Sequence, residues 1–317
     1  MIIVTGAAGF IGSNIVAGLN ARGVRDILIV DDLADGHKCL NLADLDFADY
    51  LEYDELERRM AADDMPGGID AVFHEGACSD TTEWDGRYVM ARNFTYSKTL
   101  HAWCQRHRVA FLYASSASVY GMGPDFVERR NAEKPLNMYA FSKFAFDQYV
   151  RAQGRARRSQ VVGLRYFNVY GPREGHKGRM ASVARHFSNQ IAEDGECRLF
   201  AGSDGYGSGE QRRDFIHVDD VVAVNLWLLD NPQVSGIYNC GTGRSQTFND
   251  VADAVIAWHG RGEKRYIDFP KSLVGRYQSF TEADMAALQQ AGYPNTFMPV
   301  EEGVPRYLDW LAARRTA

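Results

Sequence analysis

Short apolar runs alternate with longer amphipathic stretches through the first half of the chain. Residues 2–5 read as a buried strand, and a helical stretch follows to about Arg22. Residues 26–31 form a second strand pattern and 71–73 lie in a third. A long helical pattern from Arg87 to about Arg106 precedes a strand at 109–114. Residues 139–152 read as a helix and 161–167 as a strand. Strands of this kind, alternating with helices, predict a parallel sheet covered on both faces. The texture changes after Asn168. Gly171, Pro172, Gly175 and Gly178 mark a loop, 180–192 a helix, and 202–209 (GSDGYGSG) a glycine-rich segment. Residues 214–217 and 237–239 read as strands returning to the first sheet, and 247–259, 281–291 and 299–314 as helices.

The predicted fold is therefore α/β: a Rossmann-type, doubly wound parallel sheet with a smaller C-terminal α/β substrate domain. The expected division is 1–167 for the nucleotide-binding domain, rejoined by 214–240, with 168–213 and 241–317 in the smaller domain. The chain has 317 residues, 45% hydrophobic and 24% charged, which suits a globular protein and excludes a disordered or collagen-like one. Its net charge of −6 argues against a general nucleic-acid binder. Five cysteines with no CxxC pair argue against a disulfide framework or a zinc knuckle. The eight histidines show no metal spacing. The uncharged stretch 1–20 lacks the leading basic residues of a signal peptide, and its glycines interrupt any membrane span. Such a chain is expected in the cytoplasm, away from membranes.

Gly6, Gly9 and Gly12 follow the first strand and open the first helix, as in a dinucleotide-binding fingerprint. Gly6 permits the tight turn, Gly9 the approach of a pyrophosphate, and Gly12 close helix packing. The second strand ends in Asp31 and Asp32, 19 positions after Gly12. An acid there accepts a hydrogen bond from a ribose 2′-OH and favours NAD; Lys38 nearby can instead pair a 2′-phosphate. These residues leave both NAD and NADP open.

Ser115 and Ser116 close one strand, and Tyr139 and Lys143 share one helix face further on. Tyrosine is a poor base near neutrality, but a neighbouring ammonium and an oxidised nicotinamide favour its phenolate. The predicted chemistry is hydride transfer with general acid–base help from Tyr139, oriented by Ser116 and Lys143.

Three further runs extend the pattern: 74–79 (HEGACS), 81–86 (TTEWDG) and 165–178 (RYFNVYGPREGHKG). With the motifs above and 275–278 (GRYQ), they resemble the extended short-chain dehydrogenase/reductase family over nearly the whole chain, and within it the nucleotide-sugar epimerases that act on ADP-heptose. The resemblance implies a tightly held NADP and inversion at C6″ through a transient ketone, in the supply of heptose for the lipopolysaccharide inner core. It implies a homo-oligomer, commonly a pentamer. It assigns Tyr139 and Lys177 as the two acid/base residues, with Ser116 and Lys143 in support. It places Phe10, Ile11, Asp31, Asp32, Lys38, Glu75, Gly76, Ala77, Cys78, Ser79, Asn93, Lys143 and Val169 at the cofactor. It places Ser116, Asn168, Lys177, Arg179, His186, Phe200, Ala201, Gly202, Ser203, Arg213 and Tyr277 at the substrate. Three positions depart from the family pattern. Ala7 stands where a second glycine is usual, and Arg179 where a small polar residue is common. Tyr53 stands where relatives carry a lysine near the cofactor phosphate, which leaves Lys38 with more of that task.

Inversion by oxidation and reduction needs proton transfer on both faces of one carbon, and one tyrosine serves one face. Lys177, in a glycine-flanked loop, can act as the second base if burial or the neighbouring Arg173, His176 and Arg179 depress its pKa. The same cations, with Arg212, Arg213 and Arg276, can equally hold a substrate diphosphate. A dehydratase on this fold would place an acid beside Ser116; the chain has Ala117, Ser118 and Val119 there. A cofactor sensor without catalysis would tend to lack the tyrosine or the lysine, and both are present.

Overall fold

A computed structural model describes residues 1–270 and 278–315. The first half runs β1 (Ile2–Thr5), α1 (Phe10–Ala21), β2 (Ile27–Asp31), β3 (Asp49–Glu52), α2 (Tyr53–Ala62), β4 (Ala71–His74), α3 (Gly86–Met90), α4 (Tyr96–His107), β5 (Ala110–Ser116), α5 (Met138–Gln153) and β6 (Val161–Tyr166). The second half adds β7 (Asn168–Tyr170), α6 (Val183–Asp194), β8 (Glu196–Phe200), β9 (Arg212–Arg213), β10 (Phe215–His217), α7 (Val218–Asp230), β11 (Gly236–Cys240), β12 (Gln246–Thr247), α8 (Phe248–His259), β13 (Glu263–Ile267), α9 (Ala286–Gln290) and α10 (Val300–Arg315).

Seven strands form one sheet in the order β3-β2-β1-β4-β5-β6-β11, and every pairing is parallel. Alternate residues of β1 divide between the faces: Ile2 and Val4 join one apolar cluster and Ile3 another. Burial on both faces explains the unbroken apolar runs by which these strands are legible. The strand order reverses between β1 and β4, the switch point where open α/β sheets bind ligands.

The second half has its own core of Tyr170, Phe187, Ile191, Leu199, Val251, Val255, Tyr307 and Leu308, under α6, α8 and α10. Two-stranded pairs β8 with β13 and β9 with β12 complete it. The strand expected at 214–217 to rejoin the main sheet does not. Residues 215–217 pair in parallel with β7 in a separate ribbon, and only β11 rejoins the sheet, beside β6. The chain between them, α7, packs on α1 so closely that a Cβ on Gly18 would lie within contact of Val222 and Leu226.

Two predicted helices differ. The pattern at 87–106 is interrupted by a π turn at Ala91–Thr95. The helix at 281–291 shrinks to α9, because Asp214 accepts the Ala283 N–H and Asp214 N–H binds the Thr281 hydroxyl. Edge strand β3 and the pair β8 and β13 carry no apolar run and were not foreseen in the pattern.

Candidate active site

The glycine loop sits at the switch point. Gly6 adopts φ of +66°, and a Cβ there would lie 2.6 Å from the Gly76 nitrogen, so the loops after β1 and β4 touch through bare backbone. Gly9 begins α1, whose first turn has no acidic residue and no side-chain cap. Its N–H groups are left for an anion. Ala7 is buried and outside the positive-φ positions, so alanine fits without strain. The Asp31 carboxylate accepts the Ala8 N–H at 2.7 Å and the Lys38 ammonium at 2.5 Å. Asp32 pairs with Arg92 at 2.9 Å. His74 is held between the Thr5 hydroxyl at 2.7 Å and the Ser97 hydroxyl at 2.8 Å, and burial pushes its pKa down to about 3. It is a neutral bracket between β4, β1 and α4.

Ser116 ends β5 and accepts the Ser118 N–H at 3.1 Å. Tyr139 lies in the first turn of α5, which Asn137 caps by accepting the Ala140 N–H. Lys143 follows one turn on and donates to the Ala114 carbonyl at 2.8 Å. Burial drives its pKa down to about 8. Burial also raises the Tyr139 phenol, with the Ser116 hydroxyl opposing. The Lys143 ammonium is turned to a β5 carbonyl, and burial is the largest influence on the phenol. Glu75 accepts from the Tyr166 hydroxyl at 3.0 Å, its second oxygen has no partner, and burial pushes its pKa up to about 7.

Behind these groups lies a buried ionic cluster. Asp147, one turn beyond Lys143, accepts from Tyr113 at 2.9 Å, Ser115 at 3.0 Å and Arg165 at 2.8 Å. Arg165 also pairs with Glu133, which Arg151 holds in turn. This ties α5 to the ends of β5 and β6.

The loop carrying Lys177 is pinned at several points. Asn14 donates to the Pro172 carbonyl and Asn41 to that of Arg173, and Glu174 accepts from the Ser182 N–H and hydroxyl. Lys177 lies 5.1 Å above the Phe10 ring, and burial lowers its pKa. The surrounding cations do not gather on it. Arg173 turns away to Asp44, and Arg179 reaches outward to Thr82 and Asp80. His176 meets Asn41 and feels Lys38 and Lys177 as repulsive neighbours.

One cleft of about 510 Å³ joins these pieces. Tyr139, Lys177, Ser116 and Lys143 all line it, as do Gly6, Gly9, Phe10, Ile11, Gly12, Asp31, Asp32, Lys38, Glu75, Gly76, Ala77, Cys78, Ser79 and Val169. Asn93 stands one layer behind, fixing both the N–H and the carbonyl of Cys78. Of the substrate candidates among the described residues, only Ser116 and Lys177 line the cleft; Asn168, Arg179, His186, Phe200, Ala201, Gly202, Ser203 and Arg213 lie outside its wall. Arg213 is buried, 5.7 Å from the Phe248 ring, and Arg212 is bound to Ser245. Tyr277 and Arg276 lie outside the described residues. The cleft adds Tyr88, Arg92, Tyr96, Tyr166 and Met180, which local sequence did not single out. A basic residue beside Asn93 was the available signal for Arg92.

The model of the NAD dependent epimerase/dehydratase family matches residues 2–241. The chain belongs to this family. An ADP-L-glycero-D-manno-heptose-6-epimerase from Alkalilimnicola ehrlichii is 59% identical over 312 residues, 98% of each chain. The crystal structure of the Helicobacter pylori protein of that name superposes with a TM-score of 0.82 at 27% identity, covering 98% of this chain and 96% of that one. A UDP-glucose 4-epimerase from Thermus thermophilus, solved with NAD, gives 0.77 at 27% identity over 97% of each chain. Membership of an NAD dependent family supports a nicotinamide cofactor for this chain. The glycine cradle and the uncapped α1 N-terminus fit such a cofactor. No described helix is long and apolar enough to cross a membrane.

Proposed function

We propose that the protein interconverts ADP-D-glycero-D-manno-heptose and ADP-L-glycero-D-manno-heptose, using NADP retained in the cleft. The observation that carries this reading is the 59% identity across 98% of both chains, combined with two candidate bases, Tyr139 and Lys177, on one cleft. A bound oxidised nicotinamide supplies the hydride acceptor and the positive charge that favours the Tyr139 phenolate. Tyr139 then exchanges the proton of the C6″ hydroxyl on one face, with Ser116 orienting that oxygen. Lys177 serves the opposite face, where its lowered pKa makes the neutral amine accessible. Lys143 positions the cofactor ribose and α5. The enzyme would serve lipopolysaccharide inner-core heptose supply. The strands to Tyr166, with β11, form the cofactor domain, and residues 168–213 with 241–317 form the substrate cap. Asn168, Arg179, His186, Phe200 to Ser203, Arg213 and Tyr277 are carried over from the family resemblance as substrate residues.

The test is direct. Purified protein is incubated with ADP-D-glycero-D-manno-heptose and no added cofactor, and the sugar is separated chromatographically. The C6″ epimer is expected without net formation of reduced cofactor. Fully loaded protein that yields no epimer overturns the substrate assignment.

A further inference from the structure

We infer that Arg92, laid flat on the ring of Tyr53, is the residue by which this chain selects a 2′-phosphorylated adenosine cofactor. The inference rests on the NADP reading above and names the group that executes it.

The guanidinium carbon of Arg92 lies 3.5 Å from the centroid of Tyr53 and 5.7 Å from that of Tyr88. Tyr53 in turn meets Tyr96 edge-on, with centroids 5.9 Å apart and planes at 90°. The platform is therefore braced, and stacking fixes the plane of the cation while leaving its in-plane N–H groups free to bond. One of them donates to Asp32 at 2.9 Å, and the side chain makes no other hydrogen bond to the described residues. Arg92 and Tyr53 both line the cleft, at the end where Asp31, Asp32 and Lys38 lie.

The charges there decide what the end can accept. Two free carboxylates after β2 would repel a phosphate dianion and favour a ribose hydroxyl. Here Lys38 caps Asp31 and the Asp32 carbonyl, while Arg92 caps the Asp32 carboxylate. Two anions and two cations cancel, so the repulsion is removed. What remains is a planar arginine fork, held on an aromatic ring, with donors unspent. That arrangement matches phosphate oxygens. A plain surface ion pair would need neither the ring beneath it nor a place in the cleft wall. The π turn at Ala91–Thr95 lets consecutive residues serve two purposes, with Arg92 in the cleft wall and Asn93 on the Cys78 backbone.

The test measures binding rather than turnover. The nucleotide released from purified protein is identified by mass spectrometry. Calorimetry on protein washed free of it then gives Kd for NADP⁺ and NAD⁺. Wild type is expected to favour NADP⁺. Arg92→Gln should weaken NADP⁺ by about 10- to 100-fold, the range of a lost charged hydrogen bond, and change NAD⁺ by less than about 3-fold on the same ground. Tyr53→Phe should keep the preference and Tyr53→Ala should lose part of it. An Arg92→Gln protein that keeps the wild-type NADP⁺ to NAD⁺ ratio, or that loses both nucleotides equally, overturns the role of Arg92 and leaves the NADP reading standing. A wild type that carries NAD and prefers it overturns the NADP reading itself.

Discussion

The two ends of the cleft are built by different means. The glycine-loop end is framed by backbone, a positive-φ glycine, an open helix N-terminus and two closely approaching loops at a strand-order reversal, with the Lys38 and Arg92 side chains beyond it. The other end draws side chains from separated loops, of which Lys177 lines the cleft and Arg179 and Arg213 do not. Backbone geometry is set once the sheet forms. Side-chain geometry at the other end depends on how loops from separate parts of the chain pack. The contrast teaches why one fold can keep its cofactor and vary its sugar.

The sharpest way to break this contrast is to remove each base in turn. Tyr139→Phe should lower turnover about 10³-fold, and Lys177→Met about 10²-fold, within the usual range for general acid–base groups. Both should retain cofactor, measured by absorbance and mass spectrometry of the released nucleotide. In wild type the pH–rate profile should rise through a limb below the ordinary lysine range, since burial lowers the Lys177 pKa. That limb should vanish in Lys177→Met; its persistence would assign the limb elsewhere.

Next comes the backbone end. Gly6→Ala forces a left-handed alanine and a 2.6 Å approach to the Gly76 nitrogen. It should cost about 1–3 kcal/mol of stability by denaturant titration and release the cofactor, the reverse of the Tyr139 outcome. Retained cofactor in Gly6→Ala would show that the loops can part.

A smaller effect belongs to Glu75. Its pKa is raised to about 7, so the folded protein keeps a proton that the unfolded chain gives up above the ordinary value of 4.5. The stability this contributes is complete below 4.5 and is lost as pH rises through about 7. Wild type should therefore lose melting temperature relative to Glu75→Gln between pH 5 and 8. Parallel curves would contradict the burial argument.

The smallest change tests the cap alone. Thr247 and Asp250 form a reciprocal capping box at the start of α8. Thr247→Ala should cost about 1 kcal/mol and leave cofactor retention untouched.

The same division explains what was legible in the sequence. β1, β2, β4, β5 and β6 are buried on both faces and announce themselves as apolar runs. β3 is an edge strand with exposed Asp49 and Glu52 and reads as polar loop. β10 has the composition of a sheet strand, but pairing is not local, and its partner proved to be β7. The glycine loop, Ser116, Tyr139 and Lys143 are visible because spacing along one strand or helix fixes their relation. Arg92 and Tyr166 are not, because the π turn before α4, β2 and β6 meet at the cleft only after the sheet has formed.

The buried Glu133, Asp147 and Arg165, with the partly exposed Arg151, have a consequence for how this sequence can change. Arg165 is wholly inaccessible, and losing either partner class leaves a charge stranded in an apolar interior. Single exchanges among Glu133, Asp147 and Arg165 are costly, whereas a joint replacement by apolar residues of similar volume is open. The four are therefore coupled energetically, although they span 33 positions from Glu133 to Arg165. A chimera that takes α5 from a relative must bring the matching residues at 133 and 165 with it, or the helix bearing Tyr139 and Lys143 will arrive without its anchor.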